Sequence, residues 1–286
     1  MRIHFAVVLV SVSSLFVAPV GWMAIARDDS RSAERAKLPE PSLTVASLNI
    51  AKETNADKIV HEISAAPAIR DSDVLFLQEV VCEKGSSVAQ DVAERLARQV
   101  TFASPDPATA ASTGGVAILS RNAIRDVTVR KLKAENLVFR SRHRIALAAT
   151  VDTPVGTIRA VTAHLDTRIN PGERLVQLQP AIDEAQAFSG PSIIGGDFNT
   201  NDMQWVSNIV PVPFPGWQAS RVRALMASKG FHTPFETRRA TFDHLGMQLD
   251  WIYTNTLRAA ASGIVPLDFS DHHAIWTQFT TRAAAH

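Results

Sequence analysis

The chain has 286 residues, 46% of them apolar, enough to bury a substantial core in one large domain or two small ones. Its 29 Lys+Arg against 28 Asp+Glu leave a net charge of +1, which excludes a global attraction to nucleic acid or membrane and leaves recognition to local patches. Cys82 is the only cysteine, which excludes an intrachain disulfide framework and a zinc cluster built on thiolates.

The first 26 residues read as targeting. Arg2 supplies a positive start, Phe5 to Met23 is mostly apolar, and Ala24-Ile25-Ala26 has the small-residue pattern of a cleavage site. Export of the mature chain to an extracytoplasmic space follows. The competing reading is an uncleaved membrane anchor, because Phe5 to Ala26 is almost long enough to cross a bilayer, although Pro19, Gly21 and several serines weaken it. Residues 27–41 are charged and end in Pro39 and Pro41, the composition of a linker.

The folded part is expected over 42–282. Leu43 to Ile50 alternates as a strand ending at Asn49; Asp57 to Ala65 reads as a helix; and Asp73 to Glu79 is a buried strand closing on a carboxylate. A helix is expected over Val88 to Val100, then strands from Gly114, over Ile145 to Val151, and over Thr157 to His164. Glu173 to Phe188 is helical, Leu249 to Thr254 is a strand, and a last strand runs from Ala274 to Phe279. Strands and helices mix without strict alternation, which favours packed β-sheets with helices outside over a parallel α/β sheet.

Ile193-Ile194-Gly195-Gly196-Asp197-Phe198-Asn199 stands apart. The apolar run ends in two glycines, which let something bulky approach the backbone, and alternation puts Asp197 and Asn199 on one side with Phe198 on the other. A carboxylate beside an amide suits a hard cation, or a phosphate with its attacking water; alone it is equally a turn after a strand. The wider pattern is less ordinary. Asn49, Glu79, His164, Asp197, Asn199, Asp250 and His272 all lie at or next to strand ends, where one rim of a sandwich would gather them.

With these pieces in order, SLNI around Asn49, LFLQEV around Glu79, GGVAILSR from Gly114, AHLD around His164, GGDFN, LDWIY around Asp250 and SDHHAIW, the chain resembles the endonuclease/exonuclease/phosphatase superfamily. Deoxyribonuclease-like enzymes, inositol-polyphosphate phosphatases and neutral sphingomyelinases belong to it. The resemblance covers Leu43 to Phe279. It implies an α+β fold, a four-layer α/β/β/α sandwich of two mostly antiparallel sheets, and a divalent metal, magnesium or else manganese.

Glu79, with Asn49 close by, is then the expected metal carboxylate, and Asp271 a weaker ligand candidate. His272 is the expected general base, because imidazole titrates near neutral pH, with Asp250 at the family position that orients it. Asp197 and Asn199 would hold the water and the phosphate. His273 next door is expected to pack or lie at the surface. The resemblance gives His164 a phosphate-oxygen or leaving-group role and disfavours the abasic-site repair branch, which lacks this histidine.

Arg121 to Arg144 is the one basic stretch. Arg144 matches a phosphate-contacting arginine; Arg121, Arg125, Arg130, Lys131, Lys133, Arg140 and Arg142 could follow a polyanion or simply solvate a hairpin. Residues 201–240 carry no family motif. Trp205 and Ile209 to Trp217 could stack bases, enter a lipid interface, or pack as a flap beside a helix over Ala219 to Lys229. The expected protein is an exported, monomeric, magnesium-dependent phosphodiesterase or nuclease, with no obligate protein partner. A phospholipid or inositol-phosphate phosphoesterase, or a non-catalytic binding member, are the alternatives; the second would show a lost metal carboxylate or base, and neither is lost here.

Overall fold

In the computed structural model, which describes residues 41–83, 85–106, 112–135 and 144–281, two β-sheets pack face to face with helices on both outer surfaces. The expected leader (1–26), residues 27–40 of the expected linker, and Arg140 and Arg142 lie outside the described residues.

In chain order the elements are β1 (Ser42–Asn49), α1 (Ala56–Ala65), α2 (Pro67–Arg70), β2 (Val74–Glu83), β3 (Ser86–Ser87), α3 (Val88–Arg95), β4 (Gln99–Ala103), β5 (Ser112–Ser120) and β6 (Ile124–Lys131). There follow β7 (Ile145–Thr153), β8 (Gly156–His164), α4 (Pro171–Gln186), β9 (Ser192–Asp197), β10 (Met203–Val206), β11 (Val210–Pro213), α5 (Trp217–Ser228), β12 (Asp250–Thr254), β13 (Arg258–Val265) and β14 (Ala274–Thr280). The first sheet runs β13-β14-β1-β2-β5-β4, with β3 beside β2; the second runs β12-β9-β8-β7-β6; β10 and β11 form a separate hairpin. Only β1/β2 and β8/β9 pair in parallel. The mostly antiparallel, four-layer expectation therefore holds.

Alternation decides the layers. In β1, Leu43 and Val45 face the second sheet, while Ala46 and Leu48 face the helices; in β2, Val74 and Phe76 point inward and Leu75 and Leu77 outward. Period-2 burial on both faces is why these strands read as apolar runs. Outside the first sheet, α1 buries Ala56, Ile59 and Ile63, one stripe at helical spacing. Asn55 caps it by accepting the Lys58 N–H at 3.2 Å. Outside the second sheet, α4 opens on Pro171 with a capping box between Asn170 and Glu173.

The helix expected over 88–100 ends at Arg95. Ala97 adopts φ +51 and turns the chain, and Val100 to Phe102 pair with β5 instead. The β-branched and aromatic residues there gain more from the sheet than from another helical turn. The two glycines of β9 make room for the protein's own core: a Cβ on Gly195 would lie 2.9 Å from the Phe76 ring, and one on Gly196 only 2.1 Å from the Ala163 carbonyl oxygen. Gly196 also sits at φ +135, where L side chains are strained. No helix among the described residues is long and apolar enough to cross a membrane.

Candidate active site

Parallel pairing brings strand ends to one rim. In β1/β2, Asn49 lies opposite Gln78; in β8/β9, His164 lies opposite Asp197; and β12 pairs Asp250 with Asp197. A cleft of about 340 Å³ opens there, lined by Glu79, Asp197, Asn199, Asp271, His272 and Phe242 among others. Of the expected residues, Asn49, Glu79, His164, Asp197, Asn199, Asp250 and His272 meet around it, and Asp271 stands exposed on its wall.

His272 and the carboxylates form a chain. Asp250 Oδ2 accepts from His272 Nδ1 at 2.9 Å and from the Thr241 hydroxyl at 2.7 Å, while His272 Nε2 lies 3.8 Å from Asp197 Oδ2. The Phe242 ring packs on the imidazole, 4.9 Å between centroids. Burial works against charging His272, but Asp250 and Asp197 outweigh it and lift its pKa to about 10. The expected partner Asp250 holds the ring, and a second carboxylate, Asp197, also faces it. Asp197 shifts the other way in function. Burial pushes it up to about 7, even though Asp197 Oδ1 accepts the Asn199 N–H at 2.8 Å and Oδ2 accepts from Asn49 Nδ2 at 3.0 Å.

His164 Nδ1 stands 3.0 Å from a guanidinium nitrogen of Arg144. Arginine only donates, so Nδ1 accepts and the imidazole proton sits on Nε2. That nitrogen lies 3.4 Å from Asp197 Oδ2 and 3.9 Å from Glu79 Oε1. Burial, then the charge of Arg144, holds His164 well below the usual imidazole range, so it is a neutral donor. Arg144 also donates to Asp166 Oδ1 at 3.0 Å, so it orients His164 from behind.

A metal fits best at Glu79. Glu79 interrupts β2 at φ +55, between Leu77 and Val80 where the register shifts, which turns its side chain into the cleft. Among the described residues its carboxylate accepts no hydrogen bond, and the cation beside it, Lys52 Nζ at 3.5 Å, is largely exposed. Asp197, Asp250 and His272 could also gather round an ion, their ligand atoms lying within 4.8 Å of one another. Asp250 Oδ2 and both Asp197 oxygens already accept hydrogen bonds, while Asp250 Oδ1 is buried without a partner. Glu79 opens its carboxylate to the cleft, and the Asn49 side-chain Oδ1, which accepts the Ala51 N–H at 2.9 Å, keeps a second lone pair.

Two residues escaped the sequence reading. Thr241 carries the buried Asp250: besides its own donation it accepts the Leu249 and Asp250 N–H groups at 2.9 and 3.1 Å. It lies just beyond the stretch without a motif, and no signal marked it. Arg174 is wholly buried and donates to the carbonyls of Asp166 and Phe198 at 2.8 and 2.7 Å and to Gln218 at 2.5 Å. Burial lowers it to about 9. It pins the backbone that carries Asp197 and Asn199. Its signal was legible: Arg174 and Gln177 sit on the same helical stripe as Leu178, Ala181 and Ile182. His273 pairs with Asp243 at 3.0 Å, the surface role expected of it.

Most of the described basic residues of the stretch 121–144 are paired. Arg125 forks onto Asp152 at 2.6 and 2.8 Å, Arg130 pairs with Glu184 and Arg121 with Asp71, which favours the solvated-hairpin reading over a polyanion track.

Residues 46–272 match the Endonuclease/Exonuclease/phosphatase family, and the chain belongs to that family. Its fold resembles the crystal structure of an endonuclease/exonuclease/phosphatase from Beutenbergia cavernae, at 20% identity and TM-score 0.69 over 85% of this chain and 72% of that one. It also resembles the human Nocturnin catalytic domain with bound sulfate, at 19% identity and TM-score 0.61 (84% and 94%). A humanized D. rerio TDP2 is similar at 18% identity and TM-score 0.59 (84% and 100%). No match was found among curated proteins.

Proposed function

We propose that this protein is a divalent-metal-dependent phosphoester hydrolase in which Asp197 activates the attacking water beside His272, which Asp250 holds. The observation that carries the reading is the line Asp250–His272–Asp197, at 2.9 and 3.8 Å, ending in an open cleft. Glu79, with Asn49 and Asp271 sharing the cleft, would hold magnesium or manganese, which when bound polarises a phosphoryl oxygen and neutralises developing charge. Asp197, raised toward neutrality, takes the water proton. Asn199 Nδ2 donates to Asp197 Oδ2 at 3.2 Å and to the Leu165 carbonyl at 2.9 Å, which fixes the carboxylate for that role. His272, protonated and held by Asp250, faces the phosphate as a cation; His164 offers its Nε2 proton to a phosphate or leaving oxygen.

The substrate class is a phosphodiester. A D. rerio TDP2 structure holds a single-strand DNA product, which supports a nucleic-acid diester; a phospholipid or small phosphoester is the other reading, favoured by the paired basic stretch. Residues 1–26 act as an export signal, so the catalytic unit, 42–282, works outside the cytoplasm as a monomer.

The test is turnover of bis(p-nitrophenyl) phosphate, plasmid DNA and phospholipid with and without EDTA. EDTA should abolish activity and added Mg²⁺ or Mn²⁺ restore it. Glu79→Gln should lose on the order of 10²-fold or more with its melting curve unchanged. Undiminished turnover in EDTA would overturn the reading.

A further inference from the structure

The β10–β11 hairpin leaves the cleft wall through Asn201, whose Oδ1 accepts from Trp205 Nε1 at 3.2 Å. Of the nine most exposed large apolar side chains among the described residues, five fall in 206–214: Val206, Ile209, Val210, Val212 and Phe214, between 42% and 54% exposed. The register sorts them. Val206 pairs with Val210 and Gln204 with Val212, so one face of the hairpin carries three exposed valines and a single polar residue.

This face is held, not loose. Asn170 clamps Trp205 by accepting its N–H and donating to its carbonyl, both at 2.8 Å, and Asn208 Nδ2 donates to the Arg168 carbonyl at 2.8 Å. Exposed apolar area held in place mutely invites a partner. The surroundings say which. Residues 203–235 contain no Asp or Glu, and their charged residues are Arg221, Arg223 and Lys229. Arg168 lies over the Trp205 ring at 5.7 Å, and Arg221 is exposed on α5, whose Trp217 packs on Phe214 at 5.0 Å between centroids. The acids beside the hairpin are already engaged: Asp202 pairs with Arg238, and Glu173 Oε2 accepts from the Asn170 N–H at 2.7 Å and from Asn208 Nδ2 at 3.2 Å.

We propose that the β10–β11 hairpin is a docking surface for an anionic phospholipid membrane. The valines, Ile209 and Phe214 enter the interface, Trp205 lies at headgroup level, and the basic side chains of α5 meet the lipid charge. A second copy fits less well, because Pro211 and Pro213 deny β11 the N–H groups a continued sheet needs. A single-stranded nucleic acid fits less well too, since aliphatic side chains give bases nothing to stack on and Trp205 is half-buried. Docking requires no turnover, so it stands or falls separately from the hydrolase reading.

The experiment uses the full chain with Cys82→Ser and one new cysteine, Ser207→Cys at the hairpin tip, labelled with an environment-sensitive dye. Ser64→Cys, exposed on α1 in the opposite outer layer, is the control, and residues 1–26 are common to both. Phosphatidylglycerol-containing vesicles should shift the 207 emission to the blue and leave the 64 label unchanged, with phosphatidylcholine alone weaker. Val210→Asp with Val212→Asp should lower the vesicle affinity read at 207 on the order of tenfold or more. Val210→Thr with Val212→Thr, closer in shape, keeps the test decisive if the double Asp variant misfolds, and should weaken docking to a lesser degree. No shift at 207, an equal shift at 64, or a 207 shift produced by single-stranded DNA or by raising protein concentration without vesicles overturns the proposal.

Discussion

Asp197 and His272 are displaced in ways that oppose their ordinary roles, and the activity profile should show it. As pH rises through about 7, Asp197 loses its proton and becomes able to accept one, so the rate should climb. As pH approaches about 10, His272 loses its charge and the rate should fall. Asp250→Asn removes a charge that raises both His272 and Asp197, so both limbs should move to lower pH, the alkaline limb also losing the Asp250 hydrogen bond. Rate against pH for both proteins measures this; a wild-type rate that climbs through about 10 would give the base role back to His272. His164 is a neutral donor, so His164→Ala should cost at least on the order of 10²-fold on a diester with an alkoxide leaving group. It should cost much less on an activated aryl diester, and equal losses on both would remove His164 from leaving-group chemistry.

At the level of strands and helices, the site depends on how closely β8 and β9 approach. Gly196→Ala would place a Cβ 2.1 Å from the Ala163 carbonyl at φ +135, so the strands must part. Urea melts should show a loss on the order of 3 kcal/mol or more. Gly172→Ala in the first turn of α4 has open space and should be neutral or gain about 0.5–1 kcal/mol. The strand ends were legible in the sequence because a carboxylate, amide or imidazole closing an apolar run is a local signal. Asn49, Glu79, His164 and Asp197 were found that way; Asp250, which opens β12, was found by the resemblance. Thr241 was not, since a hydroxyl beneath a carboxylate is made by the approach of two loops, and nothing local records that. The raising of His272 by Asp250 was expected; the part of Asp197 was not, because it needs two carboxylates 53 residues apart in the chain on one ring. The end of α3 was missed because sheet pairing overrode a continuous helical pattern.

For the whole molecule, the order of segments bears on export. Mature protein recovered from the extracytoplasmic fraction should begin near Arg27, as N-terminal sequencing or intact mass would show. Recovery of Met1 to Ala26 in the membrane would replace cleavage with an anchor. Neither outcome changes the rim, because β1 runs from Ser42 to Asn49 and spans roughly 23 Å at about 3.3 Å per residue. The chain therefore enters the fold at the end of β1 remote from the cleft.

Thr280 of β14 is the register partner of Ser42 in β1. The fold thus starts and finishes at neighbouring points, a few ångströms apart as paired strand residues are. Topologically the domain is a ring that happens to be cut there, and the cut can be moved. A short bridge from Thr280 to Ser42 would close it, and the turn at 154–155 between β7 and β8 lies at the end of β8 away from His164. A circular permutant opened at that turn keeps β1, β2, β8, β9 and β12 whole, and with them every strand end that delivers a side chain to the cleft.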